Sequence, residues 1–156
     1  MKILGIDPGY DLVGFGYVER INSSNYKFLD AGVIKTDPKM EYWQRLQNIY
    51  QDMSELLANF KPDVCSMESL FFARNTTTAM KVAQARGVIG LACTKFAVPI
   101  FEYTPLQIKM TLTGQGRAEK WQVQEMVQRI LGLSKLPKPD DMADALAVAL
   151  TYSDLG

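Results

Sequence analysis

Short apolar runs alternate along the chain with longer segments in which apolar residues recur every three to four positions. The short runs predict five strands, at residues 3–6, 13–19, 26–36, 64–67 and 99–103. The turn-forming stretch 22–25 joins the second to the third, so the first three strands predict an antiparallel meander. The first strand ends at Asp7-Pro8-Gly9, where a proline and a glycine stop the extended run.

The longer segments predict helices at residues 40–60, 76–96, 104–113, 118–133 and 141–152. Asn75 or Thr76 is the expected N-cap of the second helix, and Asp140 that of the last. The helix at 76–96 carries larger apolar residues on one side. Its other side is a stripe of small residues, Ala79, Ala83, Gly87 and Gly90. Because glycine disfavours a helix by about 1 kcal/mol, the stripe indicates close approach by another helix, from the same chain or from a partner chain.

Strands and helices in this order predict one α/β domain over residues 1–156, with a mixed five-stranded sheet and helices on both faces. We expect no secretory signal and no membrane span. Cys65 and Cys93 lie far apart in apolar surroundings, which favours buried thiols in a reducing cytoplasm over a disulfide. Histidine is absent, which excludes catalytic triads that use it and histidine-ligated zinc sites.

The formal net charge is zero, but the charges are unevenly distributed. Residues 1–73 hold 7 Lys/Arg and 10 Asp/Glu, residues 74–139 hold 10 Lys/Arg and 3 Asp/Glu, and residues 140–156 hold 4 Asp/Glu and no Lys/Arg. A basic block between acidic segments is typical of a phosphate-binding surface beside a cation-binding acidic cluster. Chance clustering on a solvated surface is the alternative.

Four carboxylates occupy positions where the pattern predicts a strand end or burial. Asp7 and Glu68 each follow a buried strand, Asp144 interrupts an apolar helical run, and Asp141 lies one turn before it. Carboxylates that converge in a core repel one another, and divalent cations such as Mg²⁺ relieve that repulsion while preferring oxygen ligands. The simpler alternatives are that Asp7 is a turn residue and that Asp141 complements the helix dipole.

Six motifs resemble those of the RuvC-type bacterial Holliday-junction resolvases. They run in family order across nearly the whole chain: Gly5-Ile6-Asp7-Pro8-Gly9, residues 68–75, Gln84-Ala85-Arg86-Gly87, Phe101-Glu102-Tyr103, residues 114–120 and residues 141–147. The first motif alone is weak evidence for the family, whereas the full series is specific to it.

The resemblance implies a ribonuclease H-like fold and a homodimer that nicks two strands of like polarity in a four-way DNA junction, during recombination and repair. It also implies two Mg²⁺ ions per subunit, with Mn²⁺ as a substitute, and action beside the RuvA and RuvB branch-migration proteins. On the matching positions it implies the catalytic metal ligands Asp7, Glu68, Asp141 and Asp144. It implies DNA contacts at Phe71, beside the junction centre, and at Lys109 and Lys120, near the cleaved phosphate. We expect Arg74 and Arg117 to contact DNA as well. We expect Phe71 to stack on bases and its neighbour Phe72 to fill the core.

Three other functions share part of the pattern. Another nuclease of the same fold, such as a ribonuclease H or a YqgF-like resolvase, would differ in its substrate. An actin-like ATPase or sugar kinase also places an aspartate and glycines after its first strand, but it needs two such domains around the nucleotide. A junction-binding module without catalysis would have no need of four acids.

Overall fold

The computed structural model describes residues 1–69 and 76–152. The strands in these ranges are β1 (Lys2–Asp7), β2 (Leu12–Arg20), β3 (Tyr26–Lys35), β4 (Val64–Glu68) and β5 (Ile100–Tyr103). The helices are α1 (Tyr42–Phe60), α2 (Thr76–Lys95), α3 (Pro105–Thr113), α4 (Lys120–Leu131) and α5 (Asp140–Thr151). Each predicted strand and helix is present, and no end differs from the prediction by more than two residues.

The strands form one mixed sheet in the order β3-β2-β1-β4-β5. β1 pairs antiparallel with β2 and β2 antiparallel with β3, which confirms the predicted meander. β1, β4 and β5 run parallel to one another. The carboxyl-terminal ends of these three strands therefore meet at one edge of the sheet, where Asp7 and Glu68 end neighbouring strands.

A hydrophobic cluster on each face holds the helices against the sheet. On one face α1 and α2 pack over Leu4, with Ile49 and Ile89 fully buried between helix and sheet. On the other face α3, α4 and α5 pack over Ile3, around the fully buried Leu146. Neighbouring residues of β1 thus serve different clusters, as the two-residue period of a strand requires. The α/β architecture with helices on both faces is confirmed.

Helix α5 lies directly on the sheet because β1 and β2 carry glycines beneath it. A Cβ at Gly5 would lie 2.0 Å from the carbonyl oxygen of Ala145, and one at Gly14 would lie 2.3 Å from the carbonyl oxygen of Asp141. Heavy atoms do not pack at these separations, so these positions require glycine. Gly14 is the cross-strand partner of Asp7, and the close contact therefore brings the first turn of α5 beside the end of β1.

The start of α5 corrects the prediction for Asp140. Pro139 is the N-cap residue, Asp140 is the first helical residue, and no side chain caps the helix. The Asp140 carboxylate instead pairs with two lysines: Nζ of Lys138 donates to Oδ1 at 3.2 Å, and Nζ of Lys120 lies 3.5 Å from Oδ2. Attraction to these cations draws the side chain away from the backbone N–H groups that a cap would satisfy.

The small stripe of α2 divides between the inside and the outside of the chain. Ala79 is buried, and a Cβ at Gly90 would contact a side chain of β5. A Cβ at Gly87 would meet no described atom within 4 Å. On that open side Met80 and Leu91 are each 60% exposed. α2 begins at Thr76, and the alternative N-cap, Asn75, lies outside the described residues.

Two further expectations concern the cysteines and the membrane. Cys65 and Cys93 are free, buried thiols, as predicted. In the described part of the chain, no helix combines the length and the apolar content that crossing a bilayer requires.

Candidate active site

Four carboxylates come together at the carboxyl-terminal ends of β1 and β4. Asp7 ends β1, Glu68 ends the adjacent parallel strand, and Asp141 and Asp144 belong to the first two turns of α5. Asp7 shares a hydrogen bond with Asp141 and lies close enough to Glu68 and Asp144 for their charges to act on it. The structure thus gathers the four acids that the sequence analysis singled out.

Burial and mutual repulsion make full ionisation of this cluster unfavourable. Burial, together with the negative charges of Asp144, Glu68 and Asp141, raises the pKa of Asp7 to about 8. Burial also raises the pKa of Glu68 and that of Asp144. Cationic neighbours, Lys120 among them, offset only part of this effect at both residues. A cluster of this kind is stabilised by added positive charge.

Lys120 supplies part of that charge. Its Nζ lies 3.6 Å from Oδ2 of Asp144 and 3.5 Å from Oδ2 of Asp140. Partial burial alone would lower the pKa of Lys120, but these two carboxylates raise it. Its side chain is 58% exposed, so this lysine can exchange its carboxylate partners for another anion at little cost.

The donor set fits a hard divalent cation. All four groups are carboxylates, and the chain has no histidine that would favour zinc. As placed, no three Asp, Glu or Cys side chains within residues 1–69 and 76–152 converge on one ion position. Asp144 is held by Lys120, and Asp7 by Asp141. Coordination of an ion by these acids would therefore require the two contacts to open.

Two clefts open beside Glu68. One, of about 300 Å³, contains Glu68 together with Lys109 and Lys120. The other, of about 190 Å³, lies between Asp7 and Glu68 and is bordered by Arg86. Cations next to carboxylates allow a cleft to receive a phosphodiester while the acids bind metal.

Of the five residues predicted to contact DNA, two line a cleft beside the acids, one is exposed elsewhere and two lie outside the described residues. Lys109 and Lys120 both line the larger cleft. Arg117 is exposed in the segment between α3 and α4. Phe71 and Arg74, like Phe72, lie outside the described residues.

Arg86 is a residue of the site to which the sequence analysis assigned no role, although it belongs to one of the six family motifs. In the structure Nη1 of Arg86 donates to the carbonyl oxygen of Glu68 at 2.6 Å, and Nη2 pairs with the Glu102 carboxylate. The available signal was its position directly after Ala85, on the buried side of α2, where an arginine needs a partner.

The metal-free protein should lose stability as the pH rises from about 4 to about 8. Folded Asp7 keeps its proton up to a pKa of about 8, whereas in the unfolded chain it ionises near the usual 3.8. The folded state binds more protons in this window, so the free energy of unfolding falls with pH and levels off above it. The raised pKa values of Glu68 and Asp144 act in the same direction.

Thermal melting in EDTA across this pH range measures the effect. The Asp7→Asn variant should melt at a higher temperature than the wild type at pH 8 and show a flatter dependence on pH. The same slope in both proteins would show that Asp7 is not the repelled group.

Comparison with known proteins identifies the family. A family model described as crossover junction endodeoxyribonuclease RuvC matches residues 3–152. The RuvC of Caldicellulosiruptor saccharolyticus is 47% identical over 152 residues, which cover 97% of this chain and 92% of that protein. The RuvC of Alkaliphilus metalliredigens is 50% identical over 156 residues, which cover 100% of this chain and 94% of that protein.

Solved structures agree with this result. A structure of T. thermophilus RuvC in complex with a Holliday junction substrate has a TM-score of 0.92 at 38% identity, covering 97% of this chain and 92% of that one. The mitochondrial Holliday junction resolvase of yeast has a TM-score of 0.69 at 16% identity, covering 96% and 76%, and shares the fold. The ribonuclease H-like fold is confirmed, and the protein belongs to the crossover junction endodeoxyribonuclease RuvC family.

Proposed function

We propose that this protein resolves four-way DNA junctions as a Mg²⁺-dependent homodimer, making paired nicks in two strands of like polarity during recombination and repair. One observation carries the proposal: two carboxylates at neighbouring strand ends and two on α5 lie together beside a cleft that contains Lys109 and Lys120. Membership of the RuvC family and the structure of a relative with a Holliday junction substrate support four-way junction DNA as the substrate.

The four acids Asp7, Glu68, Asp141 and Asp144 would hold the metal, with two Mg²⁺ per subunit and Mn²⁺ as a substitute. Bound ions of this kind activate water and stabilise charge on the phosphate during hydrolysis. Among the four, Asp7 is the residue on which the charges of all the others act, so it is best placed to serve both ions.

Lys109 and Lys120 would orient the scissile phosphate and offset its charge. If Asp144 bound metal, Lys120 would lose its contact with that carboxylate and would be free to pair with a phosphate oxygen. Arg117, and also Phe71 and Arg74, would contact DNA further from the cut.

Lys120→Ala and Lys109→Ala should slow cleavage by about 100-fold, as expected when one preorganised charged contact to a transition state is removed. Junction affinity should fall much less, because the other basic residues still neutralise phosphates. Single-turnover rates and binding in Ca²⁺ separate the two effects. Lys27→Ala is the control, since this exposed lysine pairs in register with Glu19, at the opposite end of the strands from Asp7. Equal losses in rate and affinity would make the two lysines ordinary phosphate anchors.

The dimer would form through the open side of α2. Met80, Gly87 and Leu91 follow one face of this helix, and the missing side chain of Gly87 leaves a depression between two exposed apolar residues. A two-fold axis would place the same face of two chains together and set the spacing between two active sites. We also propose that the dimer acts beside the RuvA and RuvB branch-migration proteins.

Leu91→Glu should give monomers by sedimentation, because it would place two carboxylates near the two-fold axis. These monomers should nick a junction without paired resolution. Ile21→Glu is a matched control: Ile21 is 59% exposed, close to the 60% of Leu91, but lies far along the chain in the turn after β2. A Leu91→Glu variant that remains dimeric would place the interface elsewhere.

Cleavage of an RNA–DNA hybrid would instead favour a ribonuclease H. A four-way junction, a linear duplex and a hybrid of matched sequence, each incubated with Mg²⁺, distinguish the two activities. We expect cleavage of the junction alone.

A further inference from the structure

Arg86 connects α2 to the strand end that carries Glu68. Its side chain is only 14% exposed, and it makes two contacts. Nη1 donates to the carbonyl oxygen of Glu68 at 2.6 Å, and Nη2 pairs with the carboxylate of Glu102 on β5. One guanidinium therefore links α2, β4 and β5 at the border of the cleft that lies between Asp7 and Glu68.

The contact fixes the peptide group that follows Glu68. The N–H of that peptide belongs to Ser69 and donates to the carbonyl oxygen of Tyr103 at 2.8 Å. Its carbonyl oxygen is the one that Arg86 binds. Because a peptide group is planar, holding both polar atoms sets its orientation. Strand pairing holds the residues before Glu68, so a fixed peptide after it restricts ψ of Glu68 and narrows the directions in which its side chain can leave the backbone.

We propose that Arg86 is a positioning residue for Glu68, and that Glu102 acts through it by holding the guanidinium. The inference rests on the proposed function, in which Glu68 binds metal. A planar guanidinium with several fixed donors can serve the carbonyl and the carboxylate together, whereas a lysine ammonium lacks this fork geometry.

Mn²⁺ binding to the protein alone, measured by calorimetry, tests the role without relying on cleavage. Arg86→Met should weaken Mn²⁺ binding by about tenfold, the lower end of the effect of removing an outer partner of a metal ligand. Arg86→Lys should recover part of the loss, and Glu102→Ala should produce a smaller loss. In the Arg86→Met background, Glu102→Ala should have no further effect, since it acts through the arginine.

Arg129 and Glu125 provide a matched control. They form an exposed pair on α4, with Nη2 and Oε1 2.9 Å apart, and neither residue lines the clefts beside Glu68. Arg129→Met and Glu125→Ala should leave Mn²⁺ affinity unchanged. Melting curves in EDTA show which variants are folded, and Arg86→Lys with Glu102→Ala carries the test if Arg86→Met unfolds.

Three results would overturn the inference. Wild-type Mn²⁺ affinity in folded Arg86 variants would show that the contact is structural only. Loss of junction binding with unchanged Mn²⁺ affinity would make Arg86 a DNA contact. Additive losses in the double variant would show that Glu102 acts independently. If the wild type itself bound no Mn²⁺, the proposed function would fail first.

Discussion

Asp7→Asn should abolish junction cleavage while leaving junction binding intact. Asp7 is the acid that interacts with the other three, and its replacement removes one negative charge from the centre of the cluster. A metal ion supplies several kcal/mol of transition-state stabilisation and about 1.4 kcal/mol corresponds to tenfold in rate, so we expect the rate to fall by about a thousandfold or more. Single-turnover cleavage in Mg²⁺ and binding in Ca²⁺ measure the two properties separately.

Asp140→Asn is the control for this experiment. Asp140 lies on the same helix as Asp141 and Asp144, but it pairs with Lys138 and Lys120 at the surface. Asparagine keeps an oxygen that accepts from either lysine, so this variant should cut at nearly the wild-type rate. An inactive Asp140→Asn variant, or an active Asp7→Asn variant, would show that the acids of the site are wrongly assigned.

Gly14→Ala should lower the cleavage rate by displacing α5 from the sheet, without removing any charged group. The added Cβ would lie 2.3 Å from the carbonyl oxygen of Asp141, so the first turn of α5 must move away from β2. Overpacking of this kind costs about 1–3 kcal/mol of stability. A displacement of about 1 Å at an active site lowers the rate by about 100-fold. Melting temperature and cleavage rate measure the two effects.

Gly90→Ala separates distortion from the general effect of adding a methyl group. Gly90 lies in the interior of α2, and its Cβ would lie at an ordinary contact distance of 3.7 Å from the side chain of Ile100 on β5. Alanine favours a helix over glycine by about 1 kcal/mol, so this variant should be as stable as the wild type or more so, with normal cleavage. Full activity in Gly14→Ala would mean that α5 can adjust without moving its acids.

The strand and helix pattern was predictable because each element has a continuous hydrophobic period. Asp7 and Glu68 were identifiable because each ends a short buried run. Asp141 and Asp144 were identifiable because a three-residue spacing places them on one face of a helix. The parallel pairing of β1 with β4 brings Asp7 and Glu68 side by side.

Features that depend on contacts between distant segments were not predictable from one sequence. Aspartate is a residue type that often caps helices, but Lys120, from a different helix, pairs with the Asp140 carboxylate in place of the backbone N–H groups of α5. The role proposed for Arg86 depends on a contact with a backbone carbonyl, which no residue pattern reveals. Gly14 lies in a β-strand, where only the register with Asp7 and the position of α5 explain the missing side chain.

The central claim is that this acid cluster cuts four-way DNA junctions with metal. The most direct test is to incubate the wild-type protein with a synthetic mobile four-way junction, labelled in turn on each strand, with Mg²⁺ and with EDTA. With Mg²⁺ we expect nicks at symmetric positions in two strands of like polarity, giving duplexes that a ligase can seal, and with EDTA no cleavage. Cleavage that persists in EDTA, or nicks that appear equally in a linear duplex of the same sequence, would contradict the account.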